Sequence, residues 1–210
     1  IEDDDYIVIE GIMDTELDLV NDMSHVNGYI KKKTILYTGT TNIEFGILDL
    51  LRAFRKIEGN EYELIICGTG NGDEEIQKSI LEDKRITWKG FVSREEVLRL
   101  QKEATVLINP RRPDLEFTSY SFPSKTMEYL YSGTPVLMHK LRGIPDEYNP
   151  YINWFKSTNI EDISSLIIEV CDWSEQKRED YAIKTKEFIK NKKSVEPQGK
   201  KLFDFISSRF

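Results

Sequence analysis

The sequence predicts an α/β domain on a doubly wound, parallel sheet of about six strands, and three observations lead there. Short, β-rich apolar runs recur along the chain, each bounded by Gly, Asn or Pro. Helical patterns separate them, so the order is strand, helix, strand, helix. Strands that are buried along their whole length suit a parallel sheet covered on both faces and joined by right-handed crossovers.

Residues 1–30 carry Asp3, Asp4 and Asp5, little periodicity and one β-like stretch, Tyr6 to Ile9. They read as an interdomain connection, leaving 31–210 as the domain proper with extra carboxyl-terminal helices. Lys31 to Lys33 read as a solvated run before the first strand, Thr34 to Thr38. Phe45 to Ile57 places Leu48, Leu51, Ala53, Phe54 and Ile57 largely on one helical face. Tyr62 to Cys67 is the second strand; Asp73 to Leu81, after a glycine-rich turn, is the next helix. Arg85 to Trp88 is the third strand. Ser93 with Glu96 three residues on forms a capping box for the helix through Gln101. Thr105 to Asn109 is the fourth strand, and Ser124 to Tyr131 a helix that Gly133 closes. Thr134 to Met138 is the fifth strand; after a Gly143 to Tyr148 turn, Ile152 to Lys156 is the sixth. Helices near Ile160 to Asp172, Glu175 to Asn191 and Pro197 to Ser208 complete the chain.

At 210 residues, with 39% hydrophobic and 31% charged residues, the chain has the composition of a globular protein with one core. No apolar run approaches the roughly 18 residues of a membrane span. A formal net charge of −8 argues against nucleic acid as a partner, because such surfaces neutralise phosphates with clustered Lys and Arg. Ile1 in place of a methionine suggests a domain cut from a longer protein. Cys67 and Cys171 form no metal or redox spacing, which suits a reducing cytoplasm.

Ligands of open doubly wound sheets sit beyond the carboxyl ends of the strands, where the strand order reverses. With order 3-2-1-4-5-6, Gly39 to Gly46 should face Asn109 to Ser124 across that crevice. The first loop follows a strand and opens a helix, so its amides suit either an anion or a plain turn. The second holds Arg111, Arg112, Asp114 and Glu116, then Thr118-Ser119-Tyr120-Ser121 and Phe122-Pro123-Ser124-Lys125. Hydroxyls, a helix N-terminus and Lys125 suit a diphosphate, while Ser121 or Ser124 serves equally as an N-cap. Glu128, one turn in, either complements the helix dipole or accepts hydrogen bonds from a ribose diol.

Residues Ser121 to Val136, SFPSKTMEYLYSGTPV, resemble the signature segment of retaining GT-B glycosyltransferases, in the branch of capsule, exopolysaccharide and lipopolysaccharide assembly. Gly39 to Gly46, Cys67-Gly68-Thr69-Gly70, Gly90-Phe91, Asn109-Pro110-Arg111 and Gly143-Ile144-Pro145-Asp146-Glu147 fall in that family's order, so the resemblance runs from about Thr34 to Phe155. It implies the Rossmann-like carboxyl-terminal half, which holds a nucleotide diphosphate sugar, while a missing amino-terminal domain holds a polysaccharide or lipid-linked acceptor. No cofactor or metal is implied beyond that donor substrate. The implied location is cytoplasmic, with peripheral attachment at the inner membrane face open to the full-length enzyme.

On the same resemblance, Glu128 binds the ribose, Phe91 and Val92 meet the base, and Gly39, Thr40, Ser121 and Ser124 line the nucleotide site. The family's earlier glutamate falls on Tyr120, which leaves Glu116 as its substitute and Lys125 as the third candidate catalytic side chain. The family's loop Arg and Lys fall on Thr40 and Phe45, so Arg111, Arg112 and Lys125 are the replacement cations. The implied reaction is metal-independent glycosyl transfer with retention, and the isolated half is expected to be inactive. A non-catalytic sugar-nucleotide-binding or interaction module is the alternative, and a nucleotide-sugar epimerase a weaker third.

Two other patterns carry less. Asp3-Asp4-Asp5 satisfies the Asp-x-Asp pattern of metal-dependent transferases but follows no buried strand. Gly68-Thr69-Gly70-Asn71-Gly72 is similar to a dinucleotide fingerprint with its third glycine misplaced. His25 and His139 lack the partners of a nucleophilic triad.

Overall fold

The computed structural model describes residues 6–15, 32–120 and 122–209; the expectations for Asp3 to Asp5, His25, Lys31, Ser121 and Phe210 lie outside them. Six strands pair in parallel: β1 (Lys33–Thr38), β2 (Tyr62–Cys67), β3 (Ile86–Gly90), β4 (Val106–Asn109), β5 (Val136–Met138) and β6 (Asn153–Trp154). Their spatial order is β3-β2-β1-β4-β5-β6, the predicted one, with its reversal between β1 and β4. The helices are α1 (Ile47–Lys56), α2 (Asp73–Glu82), α3 (Arg94–Glu103), α4 (Lys125–Ser132), α5 (Ile160–Cys171), α6 (Glu175–Phe188) and α7 (Val195–Ser207).

Alternation along the strands divides the core into two layers. Ile35, Tyr37, Val106, Ile108 and Leu137 face a cluster with α1 and α5, through Phe54, Ile163 and Ile167. Leu36, Leu107, Val136 and Met138 face the other side, against Leu100 of α3, Leu130 of α4 and Phe188 of α6. Both faces of the central strands β1, β4 and β5 are therefore dry, which explains their nearly unbroken apolar runs, while the edge strand β3 exposes Thr87 and Lys89.

Local signals act largely as read. Ser93 Oγ accepts the Glu96 amide at 3.2 Å, but the Glu96 carboxylate turns to Arg99, so the capping box is one-sided. Gly133 ends α4 at φ +83°, a left-handed conformation that suits glycine. A short 3₁₀ turn, Ile43–Phe45, precedes α1, and α6 runs into a π-helical turn, Ile189–Lys193.

The stretch Tyr6 to Ile9 forms no strand. The segment 6–15 instead lies along the carboxyl-terminal helices. Met13 N donates to Lys193 O at 2.8 Å, Lys201 Nζ to Val8 O at 2.8 Å and Tyr131 Oη to Thr15 O at 3.0 Å. Buried Lys193 anchors it, with Nζ 2.9 Å from Glu10 Oε2 and 2.7 Å from Glu147 Oε1. Tyr6, Val8, Ile12, Val195, Leu202, Phe203 and Ile206 remain exposed, while Phe205 is half-buried.

Candidate functional site

The carboxyl ends of β1 and β2 carry two loops that stack on each other through main chain. Gly39 N donates to Cys67 O at 3.0 Å, Thr41 N to Thr69 O at 3.2 Å, and Gly72 N to Thr41 O at 2.9 Å. A side chain at Gly68, whose φ is +127°, would collide with the Gly39 carbonyl; one at Gly72 would meet Thr41 O. The glycines of the Gly68 to Gly72 turn thus serve loop packing. Asp73 at the start of α2 ties the pair together by accepting Thr41 Oγ1 and the Gly70 amide.

Most amides of the first loop are engaged inside the protein: Ile43 N donates to Asn71 Oδ1, Phe45 N to Asn42 O and Gly46 N to Ile43 O. The expected anion cradle therefore narrows to Thr40, whose carbonyl the Tyr37 hydroxyl holds at 2.6 Å. Burial pushes that phenol up to about 12 and keeps it a donor.

The crevice at the reversal has two lobes. The larger, about 450 Å³, opens between the β1 and β2 loops, Phe91 and Val92 after β3, and the inner faces of α3 and α4. The smaller, about 210 Å³, lies between the β1 loop, the segment after β4 and the start of α4. Thr38, Gly39, Thr40 and Lys125 border both lobes. The wall of Thr38 is fixed from behind, its N–H and C=O both paired with the buried Tyr129 hydroxyl at 2.9 and 3.0 Å.

Glu128 borders the larger lobe with a side chain that is 15% exposed. Lys125 Nζ and Gln101 Nε2 both reach its Oε1, at 2.7 and 2.6 Å. Phe91 stands at the rim, 88% exposed, and Arg94 shares that lobe. Ser124 precedes α4 with helical backbone angles and makes no capping bond; its exposed side chain borders the smaller lobe, where the N-cap reading does not hold.

The structure separates the two arginines. Arg111 borders the smaller lobe with its guanidinium 4.2 Å from the Phe45 ring centre and 5.7 Å from that of Phe117. Among the described residues no carboxylate pairs with it, its Nε is buried without a partner, and burial lowers its pKa. Such a cation is a ready anion site. Arg112 is instead engaged by Asp114 at 2.8 Å and by buried Asp49 at 3.3 Å, and it borders neither lobe. Its carry-over as a cleft cation is not supported, because the two acids already complement its charge.

Two candidate catalytic residues also stay outside the lobes. Tyr120 is 89% exposed, and Glu116, on a 3₁₀ turn, points to solvent. Lys125 alone of the three borders the cleft. Among the described residues, no group of three or more His, Cys, Asp or Glu side chains is placed to hold a metal ion, and no helix is long and apolar enough to cross a membrane.

Gln101, Arg94 and Thr69 escape sequence reading. For Gln101 a signal existed: Val97, Leu100, Gln101 and Ala104 fall at i, i+3, i+4 and i+7, so an amide occupies the inward stripe of α3.

The fold recurs among solved structures. The Anabaena protein Alr3699/HepE in complex with UDP and glucose superposes with a TM-score of 0.68 at 14% identity, over 85% of this chain and 49% of that one. The lipopolysaccharide outer core galactosyltransferase WaaB gives 0.63 at 18% identity, over 98% and 53%. Sucrose-phosphate synthase from Thermosynechococcus elongatus gives 0.67 at 18%, over 88% and 48%. The chain thus spans about half the length of these proteins. No curated protein sequence matches it significantly. The family model for glycosyl transferases group 1 matches residues 22–188, which covers most of the chain, and the protein belongs to that family.

Proposed function

We propose that this chain is the donor-binding half of a retaining glycosyltransferase that moves a sugar from a nucleotide diphosphate sugar to an acceptor hydroxyl in cell-surface polysaccharide assembly. One observation carries the reading: a carboxylate, Glu128, and a guanidinium, Arg111, that no carboxylate among the described residues pairs with, border adjoining lobes of one cleft at the switch point of the sheet. The base fits beside Phe91 and Val92, the ribose diol against Glu128, and the diphosphate against Thr40, Lys125 and Arg111. Neighbours of the same fold crystallised with UDP or UDP-glucose support such a donor.

In the reaction, the bond from the anomeric carbon to the diphosphate oxygen breaks, a bond to the acceptor oxygen forms, and the acceptor hydroxyl proton passes to an oxygen of the departing diphosphate. Negative charge accumulates on the leaving diphosphate. Preorganised cations in a partly dry cleft stabilise that charge more than they stabilise the ground state. No metal is needed in this scheme, so transfer should persist in EDTA.

The acceptor side is assigned to an amino-terminal domain outside this chain, which leaves the isolated half inactive. The exposed apolar side chains of α7, with Tyr6, Val8 and Ile12 beside them, suit the seam with that domain. A second reading, donor binding without turnover, draws on the outward placement of Tyr120 and Glu116. Assaying the full-length protein with UDP-, GDP- and ADP-sugars and a membrane acceptor extract separates the two. Glycosyl transfer supports the enzyme; tight binding with no transfer supports the module, and no binding to any donor overturns both.

A further inference from the structure

Gln101 is fully buried in the inner stripe of α3, where an apolar side chain of its size would fill the same space without desolvating an amide. Its Oε1 has no hydrogen-bond partner among the described residues. Its Nε2 donates to Glu128 Oε1 at 2.6 Å and reaches Thr38 Oγ1 at 3.4 Å. An ionised carboxylate only accepts, so this bond sets which way the amide faces. The Gln101 backbone is also held, because Thr134 Oγ1 donates to its carbonyl at 2.6 Å and so ties α3 to the end of α4. A buried amide with half its capacity unmet, pinned from behind and aimed at one site carboxylate, is poor core design unless that carboxylate must be held.

We infer that Gln101 is a positioning residue that orients Glu128 for a ribose diol, an inference that rests on the donor-binding reading. Two donors converge on one oxygen of Glu128, and no described residue donates to the other, Oε2. That oxygen is the one left for a ligand. The two donors differ in permanence. Lys125 borders both lobes and is partly exposed, so a diphosphate at their junction competes with Glu128 for its charge. Gln101 cannot leave. When the ammonium turns to the phosphates, the amide keeps the carboxylate from rotating away from the sugar.

The test uses the full-length protein and whichever of UDP, GDP and ADP binds it tightest, compared with the matching 2′,3′-dideoxynucleoside diphosphate. Gln101→Met and Gln101→Leu should weaken the ribonucleotide about tenfold, the scale of one charge-assisted hydrogen bond, and the dideoxy analogue less than about twofold. A packing defect alone would lower both affinities together; parallel losses in both variants therefore overturn the inference. Glu128→Gln separates it from its premise. If that variant abolishes the preference for ribose while both Gln101 variants retain it, Gln101 does not position Glu128 and the donor reading stands. If Glu128→Gln leaves the preference intact, or none of the three nucleotides binds, the ribose assignment fails and the inference fails with it. The two substitutions differ in shape, so a folding failure in one leaves the other to decide, and should both fail to fold, Gln101 is a structural residue and the inference is overturned.

Discussion

The Arg111 guanidinium lies 4.2 Å from the centre of the Phe45 ring, so an aromatic residue of the β1 loop carries a cation of the facing β4 segment. Phe45 stands where the family resemblance expects a lysine. On the donor-binding reading, the cation of the crevice therefore stands on the wall opposite the one that the resemblance expects, with Phe45 as its platform. Arg111→Ala should weaken nucleoside diphosphate binding by about 1.5–3 kcal/mol, the range for hydrogen bonds to charged groups, and the monophosphate by much less. Phe45→Ala should cost only about 0.5–2 kcal/mol, the scale of the cation–π contact. Calorimetry with both nucleotides checks this, and equal losses for mono- and diphosphate would place Arg111 elsewhere.

Gly68→Ala should damage fold and site together. Its φ of +127° disfavours any side chain, and the added carbon would overlap the Gly39 carbonyl that floors the cleft. A strained backbone position of this kind costs roughly 1–3 kcal/mol. Urea unfolding should show that loss, and nucleotide affinity at saturating folded protein should fall as well. Retained affinity would mean that the two loops can separate without consequence for the ligand.

His139 predicts an acid-sensitive fold. Burial against Phe155 lowers its pKa from 6.5 to about 4, and its Nε2 has no partner among the described residues. Between those values the unfolded chain takes up a proton that the folded chain refuses. Its contribution is therefore complete above about pH 6.5 and declines toward pH 4, by up to about 1.4 kcal/mol per unit. His139→Leu should flatten this part of the stability profile in denaturant titrations run across that range. An unchanged slope would assign the acid sensitivity to other groups.

Lys193→Met should release the segment 6–15. The ammonium is 2% exposed and lies between Glu10 and Glu147, so its removal leaves the Glu10 carboxylate buried without a counter-charge. Breaking such a pair costs about 3–5 kcal/mol. The double variant with Glu10→Gln should recover part of the loss in a double-mutant cycle. Amide hydrogen exchange at Met13, which donates to the Lys193 carbonyl, should accelerate in the single variant.

The sheet was legible because its information is local. Apolar runs bounded by turn residues located all six strands, and their alternation with helices implied a doubly wound sheet; 3-2-1-4-5-6 is one order of such sheets, and this sheet has it. The segment Tyr6 to Ile9 misled because its partner Lys201, which donates to Val8 O, lies far along the chain, and the stretch joins no ladder. The site was legible by position more than by side chain. Arg111 and Arg112 are neighbours of one type, and only the direction of the backbone after β4 decides which meets Phe45 and which meets Asp49. Nothing in the spacing of the β1 loop announced that its amides would bond to the β2 loop; that depends on a contact between two turns remote in sequence.

The stacking of the β1 and β2 loops has a consequence for inhibition and for evolutionary change. Because the floor between Gly39 and Gly68 is main chain, substitutions elsewhere scarcely alter its shape or polarity. A compound that engages only this floor would find the same surface in any relative that keeps these glycines. Discrimination has to come from the sides, where Phe91 and Arg94 stand on the β3–α3 connection and Arg111 on the segment after β4. On the donor-binding reading, preference can therefore drift one side residue at a time while the foundation beneath it stays constant.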